Sequence, residues 1–483
     1  MDKKPSQPSA PSAQTLARFA EITGAQYALT SPEDMSGYLS EWRDKFTGKA
    51  AMVLRPANTT HVSEILKLAN ETNTKIVPQA GNTGLVGAQI PFETGHEVVL
   101  SLSRLNKIRD IDALDNTMIA EAGCILQKVQ EAASDVERLY PMRIGSQGTC
   151  QIGGNLGSNA GGIATLAYGN ARDLVLGLEV VLADGRIWNG LNRLRKNNTG
   201  YDLKNLFIGA EGTLGVITAA ALKLYPKPMD RQVAIAGLAD TNAAITLLAL
   251  ARSRMGNGVS GFELLPRFGI EMVAKHTDFR DPMETAYPWY VLFEITGGNA
   301  PDSLRPVITE ILEQAFTQGI VEDAALAASE AQADRFWLMR EQLTEVQKHE
   351  GGSVKHDVSV PVSSVPDLIS RGLKVLEQIM PECRPLPYGH AGDGNIHFNI
   401  TQPEGMDKQA FLDRWDDLSE PIIDITLDLG GSISAEHGIG RLKRDMMPRI
   451  KSPVELNMMQ DLKVLFDPNN ILNPGKVLPA RHD

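Results

Sequence analysis

"TCQIGGNLGSNAGG", residues 149–162, sets five glycines and two asparagines among fourteen positions. Its glycines allow positive φ and let backbone N–H groups approach an anion closely, as in phosphate-binding nests. Read outward, it is the middle of three such clusters. "PQAGNTGLVG" (78–87) places Gly81, Gly84 and Gly87 directly after a strand-like run, and "NNTGYDLKNLFIGAEGTLGVIT" (197–218) is the third. None of the three carries the dinucleotide fingerprint G-x-G-x-x-G or a P-loop. One glycine loop alone is an ordinary turn; three in this order ask for another account.

The chain has 483 residues, too many for one ordinary core, so two or three domains are expected. Its net charge of −12 argues against nucleic acid as a partner, which would need clustered Lys and Arg. No apolar run reaches the length of a membrane span, so no transmembrane segment is expected. The opening "MDKKPSQPSAPSAQ" reads as a disordered tail, not a signal peptide. Three widely spaced cysteines (Cys124, Cys150, Cys383) form no C-x-x-C and are too few for a Cys-ligated iron–sulfur cluster. Free thiols make a cytoplasmic protein the expectation.

Strand-like runs alternate with helical ones up to Pro226-Lys227-Pro228: "AAMVLRP", then "TTHVSEILKLANETN" with Thr as helix cap, then "TKIVPQAG", "HEVVLSL", "TMIAEAG", "LVLGLEVVLADGRI" and "LGVITAAALKLYPKP". Beyond it the order strand–helix–strand–helix predicts an α+β second domain on an antiparallel sheet. Inside that domain lies "YGHAGDGNIHFNI" (388–400), with two of the chain's nine histidines. Asp393-Gly394 predicts a two-residue hairpin turn, pairing Gly392 with Asn395, Ala391 with Ile396 and His390 with His397. Opposed residues have Cβ atoms roughly 4.5–5.5 Å apart on one face, close enough for two imidazoles to share a metal ion. Asn399 falls on the same face.

Together the three glycine clusters resemble the flavin-binding domain of the vanillyl-alcohol oxidase and p-cresol methylhydroxylase superfamily. The run "GYDLKNLFIGAEGTLGVIT" is similar to the D-lactate and D-2-hydroxyglutarate dehydrogenase branch, over residues of about 20 to 480. The resemblance implies an α+β fold: a disordered tail (1–14), a two-subdomain FAD-binding domain (15–227), a substrate or cap domain carrying the hairpin (228–430), and a C-terminal helical segment returning to the flavin (431–483). It implies an FAD whose pyrophosphate lies on the loop of Gln79, Gly81, Asn82, Thr83, Gly84 and Leu85. Ser146, Gly148, Thr149, Gly153, Gly154, Asn155, Ser158, Asn159, Gly161 and Gly162 would lie along the cofactor, with Glu211, Gly212 and Ile217 closing it off. Asn82 stands where some superfamily members carry a tethering histidine, so the FAD is expected to be non-covalent.

The same branch carries a hairpin like this one and a downstream "AEHGIG", here Ala435–Gly440. By resemblance His390, His397 and Glu436 hold a divalent metal, Zn²⁺ or else Mn²⁺ or Co²⁺; two imidazoles and a carboxylate form a zinc set with an open position for substrate. His437 would take the substrate's hydroxyl proton, or else orient a metal ligand. Arg340 and Thr344 fall four apart on one helical face, and Lys355 opens a strand. These three, with Asn399, occupy positions where the family binds substrate carboxylates. The expected substrate is therefore a D-2-hydroxydicarboxylate, D-2-hydroxyglutarate before D-malate. The alternatives are D-lactate or glycolate, or a silent flavin-binding subunit of a complex. Electrons would leave to an external acceptor: an electron-transfer flavoprotein, a quinone-linked partner or a cytochrome. A homodimer is the base-rate expectation.

Overall fold

The computed structural model describes residues 10–480. Of the tail expected over 1–14, residues 1–9 lie outside the described residues, and a helix already begins at Ala13. The chain then builds a mixed sheet in which Ala50–Leu54, Glu97–Ser101 and Ile76–Gln79 run parallel, with Ala28–Leu29 antiparallel at one edge. The crossover helix Thr59–Thr72 covers it, burying Val62, Ile65, Leu66 and Ala69 at helical spacing. Its cap is Asn58, whose side chain accepts the His61 N–H at 2.9 Å; Thr59 is already the first helical residue.

A second, antiparallel sheet follows, in the order Ile108–Asp112, Thr117–Glu121, Val216–Lys223, Val175–Val181, Ile187–Gly190. The run read as one strand, "LVLGLEVVLADGRI", is two. Asp184-Gly185 turns the chain, with Gly185 at φ +83°. The two sheets with their helices form one half of the molecule.

The other half is built on the antiparallel order Val259–Pro266, Trp289–Gly297, Asp230–Leu238, Asp323–Leu326. Asp230–Leu238 was not anticipated, because its last residues read as the start of the helix Thr241–Met255 that follows. The one G-x-G-x-x-G spacing in the chain, Gly256 to Gly261, leads from that helix into a strand, the reverse of a dinucleotide turn. A smaller sheet pairs Arg384–Tyr388 with Asn395–Thr401. An isolated bridge from Gly389 to Leu264 joins it to the larger one. The last described residues return to the first half: Leu472 bridges Ile76, and Asn473 Nδ2 donates to the carbonyl of Glu211 at 2.8 Å.

Candidate active site

Between the two halves lies a cavity of about 710 Å³, walled by the glycine loops on one side and by the hairpin and the helix Glu330–Val346 on the other. Of the cofactor residues named from sequence, all but Gly148 and Asn159 line it. Gly148 is exposed on the surface. Asn159 instead takes a positive φ and accepts the Arg172 N–H at 3.0 Å, a turn contact.

The walls fit a flavin nucleotide. A Cβ on Gly81 would meet the Thr149 carbonyl at 2.5 Å, and one on Gly162 the Arg143 carbonyl at 2.3 Å, so the loops approach as only glycines can. Gln79 Oε1, Asn82 Oδ1, Gln151 Oε1 and Asn155 Oδ1 are buried acceptors without a protein donor, all on this cavity's lining residues. Buried polar atoms in that state call for a ligand. Glu211 lines the cavity and also has a second task. Its carboxylate accepts the N–H groups of Ile439 (2.7 Å) and Gly440 (2.9 Å), so it pins the "AEHGIG" loop to the glycine-rich half. Burial pushes it up to about 7 against those two hydrogen bonds.

The hairpin register differs from the one expected. Tyr388, not His390, pairs with His397, and residues 389–394 form a wider loop. Asp393 does not take the positive φ that the two-residue turn requires. The reason is tertiary. Gly389, at φ +132°, exchanges both backbone hydrogen bonds with Leu264 and draws the chain out of the ladder. The histidines converge all the same, with ring centroids 5.5 Å apart. His390, His397 and Glu436 offer ligand atoms within 4.8 Å of one another, a spacing that suits one metal ion. Glu436 fits because position 161 is glycine: a Cβ there would stand 2.7 Å from Glu436 Oε1.

Two buried acids organise this cluster, and neither was picked out from sequence. Glu263, in the strand Val259–Pro266, accepts from Arg340 Nε at 2.6 Å through one oxygen and contacts His390 Nδ1 at 2.5 Å through the other. Burial alone would raise its pKa, but the charges of Arg340 and His390 outweigh that and hold it down at about 2. Asp357 accepts the backbone N–H groups of Glu436 and His437, each at 2.9 Å, and lies 3.4 Å from His437 Nδ1. Burial pulls His437 down to about 4, with Asp357 opposing. A lone acid inside an apolar strand, as in "SGFELLP", is the signal that could have exposed Glu263, since such groups are almost never buried unpaired.

The predicted substrate residues gather on the same wall. Arg340 and Thr344 share a face of the helix Glu330–Val346, which Ser329 caps by accepting the Gln332 N–H. Thr344 Oγ1 is 3.1 Å from the Tyr388 hydroxyl. Asn399 donates to Gln347 at 2.9 Å. Lys355 does not open a strand; it sits between the short strands Ser353–Val354 and Val358–Ser359, facing the cavity. Burial, with Arg43 and Lys348 adding to it, lowers Lys355 to about 8.

Comparison with known proteins agrees with this architecture. Residues 50–190 match the model of an FAD binding domain, and residues 227–477 that of the C-terminal domain of FAD linked oxidases. The chain is 36% identical over 472 residues to a D-2-hydroxyglutarate dehydrogenase of Rattus norvegicus, covering 97% of this chain and 86% of that protein. It is 36% identical over 479 residues to a D-2-hydroxyglutarate–pyruvate transhydrogenase of Saccharomyces cerevisiae, covering 96% and 94%. The fold is also that of p-cresol methylhydroxylase solved with substrate bound, with a TM-score of 0.77, 18% identity and 97% of each chain covered. The cytoplasmic placement expected above is overturned, because the rat relative, like those of zebrafish and Arabidopsis thaliana, is named a mitochondrial protein. Free thiols do not tell these two reducing compartments apart.

Proposed function

The chain belongs to the FAD-linked D-2-hydroxyglutarate and D-lactate dehydrogenase family, and on that premise we propose that its substrate is a D-2-hydroxydicarboxylate, first D-2-hydroxyglutarate and then D-malate. The observation that carries this is Arg340 Nη2, a buried donor on the cavity wall with no hydrogen-bond partner. Glu263 already neutralises the Nε side, so the free edge of the guanidinium is the one presented to a ligand. Lys355 likewise has no hydrogen-bond or salt-bridge partner among the described residues. Two such cations offer charge-assisted hydrogen bonds to a carboxylate beyond the one on the reacting carbon. D-lactate has no such group to give them.

His390, His397 and Glu436 would hold a divalent ion, with zinc suited to the donor set and manganese or cobalt also accommodated. When bound, that ion would supply a Lewis acid for the substrate's C2 hydroxyl, and FAD would supply a hydride acceptor for C2. The protein's own part is proton handling and alignment. His437 is neutral at physiological pH and receives the hydroxyl proton on its ring, while Asp357 orients the imidazole and stabilises its cation. Glu263 holds His390 Nδ1, leaving Nε2, 3.7 Å from Glu436 Oε1, for the ion. Thr344 and Tyr388 supply a hydroxyl pair beside Arg340. The product would be the 2-oxo acid, and an external acceptor would be needed to take up the electrons.

The test is anaerobic bleaching of the holoenzyme's flavin by a panel of D- and L-2-hydroxy acids. D-2-hydroxyglutarate and D-malate should bleach it rapidly and D-lactate slowly. Faster bleaching by D-lactate overturns the dicarboxylate reading and leaves the family chemistry in place. No bleaching by any acid, with divalent metal supplied, would favour a silent subunit.

A further inference from the structure

Among the cations of the cavity wall outside the Arg340 helix is Arg43. Arg43 reaches the cavity from the glycine-rich half, on the segment 41–46 that follows the helix Pro32–Leu39. That segment is built, not loose. The buried Glu41 carboxylate accepts the backbone N–H groups of Arg43 (2.8 Å) and Lys45 (2.7 Å), and Asp44 turns the chain at φ +55°. Its neighbours fasten it to the opposite half. The Lys348 ammonium lies 3.7 Å from the centroid of the Trp42 ring, and that of Lys45 lies 4.2 Å from the Trp415 ring.

Between those two fastenings the Arg43 guanidinium has no hydrogen-bond or ion-pair partner among the described residues. It lines the cavity together with Tyr388, Asp357, Glu345 and Lys355, and its charge disfavours that of Lys355. Arginine carries five donors in a planar fork that matches a carboxylate. Two unpaired cations on the wall of one cavity repel each other, and an anion lying between them removes that cost.

We propose that Arg43 is a specificity-determining residue of the substrate pocket, gripping the distal carboxylate together with Lys355 from the side opposite Arg340. This rests on the dicarboxylate reading above and goes beyond it. The second carboxylate is held across the junction of the two halves, so a dicarboxylate also tightens the contact between segment 41–46 and the cap. A monocarboxylate does not.

The test uses the full-length holoenzyme and its Arg43→Met and Arg43→Lys variants, with flavin content confirming that each is folded and loaded. Binding of glutarate, a dicarboxylate without the reacting hydroxyl, is followed by its perturbation of the flavin absorbance spectrum. Arg43→Met should weaken glutarate binding by roughly 10- to 100-fold, as for the loss of one charge-assisted hydrogen bond. The ratio of kcat/KM for D-2-hydroxyglutarate over D-lactate should fall by about the same factor, chiefly through KM, and Arg43→Lys should restore part of it. If the parent enzyme binds glutarate and Arg43→Met binds it equally well, the inference fails while the dicarboxylate reading stands. If the parent enzyme does not bind glutarate and prefers D-lactate, both fall. Equal losses toward D-lactate and D-2-hydroxyglutarate would make Arg43 a structural clasp and overturn the inference.

Discussion

The carboxylate of Glu263 lies 2.6 Å from Arg340 Nε with its other oxygen on His390 Nδ1, so one buried acid fixes both the arginine proposed to bind a carboxylate and a histidine proposed to hold the metal. The strand Val259–Pro266 thereby ties the position of His390 to that of Arg340. A shift in either is felt by the other.

Glu263→Gln should therefore disturb two measurements at once. It leaves the Arg340 charge without its counter-ion in a buried site, which costs about 3–5 kcal/mol in unfolding free energy. Divalent metal per protein, measured by elemental analysis after gel filtration, should fall as well, since partners of this kind set metal affinity by about 10- to 100-fold. Unchanged urea midpoint and unchanged metal content would remove Glu263 from this role.

Arg340→Ala should slow turnover of D-2-hydroxyglutarate far more than that of D-lactate. The direct comparison is kcat/KM for both substrates on the same preparation. The difference expected is about 2 kcal/mol or more, because the Nη2 edge, without a protein partner, would gain one only from a dicarboxylate on the proposed reading. Equal slowing of both substrates would mean that Arg340 serves the α-carboxylate or the scaffold.

Lys355 should impose an alkaline limb on dicarboxylate binding. Its pKa is lowered to about 8, so the ammonium is present below that pH and lost above it. KM for D-2-hydroxyglutarate should rise as pH passes about 8, with no matching rise for D-lactate. In Lys355→Met, KM should already be high at pH 7 and flat through this range. A parallel limb for both substrates would assign it to another group.

His356 should make the fold acid-sensitive in a defined window. Its Nδ1 donates to the Phe398 carbonyl at 2.7 Å, so Nε2 must accept from the Ser419 hydroxyl at 2.8 Å, and the ring is buried neutral. Burial lowers its pKa from 6.5 to about 4. The unfolded chain binds this proton more readily, so the contribution is complete above pH 6.5 and is lost as pH falls toward 4. Thermal midpoints of the holoenzyme measured from pH 8 to 4 should decline in that interval, and His356→Gln should decline less steeply. Identical slopes would show that other groups carry the acid sensitivity.

Much of this molecule could be read before it was folded. The glycine clusters announced a cofactor cavity because close backbone approach needs glycine locally, at Gly81 and Gly162. Strands such as Ala50–Leu54 and Trp289–Gly297 showed in their apolar runs, and the pairing of Arg340 with Thr344 in helical spacing. The turn after His390 was misread because its competitor, Leu264, lies in another sheet. Glu263, Asp357 and Arg43 were passed over for the same kind of reason. A charged residue's task depends on which groups face it, and theirs come from distant segments.

The sequence by itself determined the family and the cofactor-binding half, because glycine-rich motifs are written within short stretches of chain, while the histidine–carboxylate set was named through the family resemblance those motifs carry. Only the tertiary structure decided that Glu263 joins Arg340 to His390, that Asp357 holds the Glu436–His437 turn, and that Arg43 and Lys355 line one cavity. Charge pairing in a low-dielectric interior is a matter of distance and burial. Neither exists until the two halves close on each other.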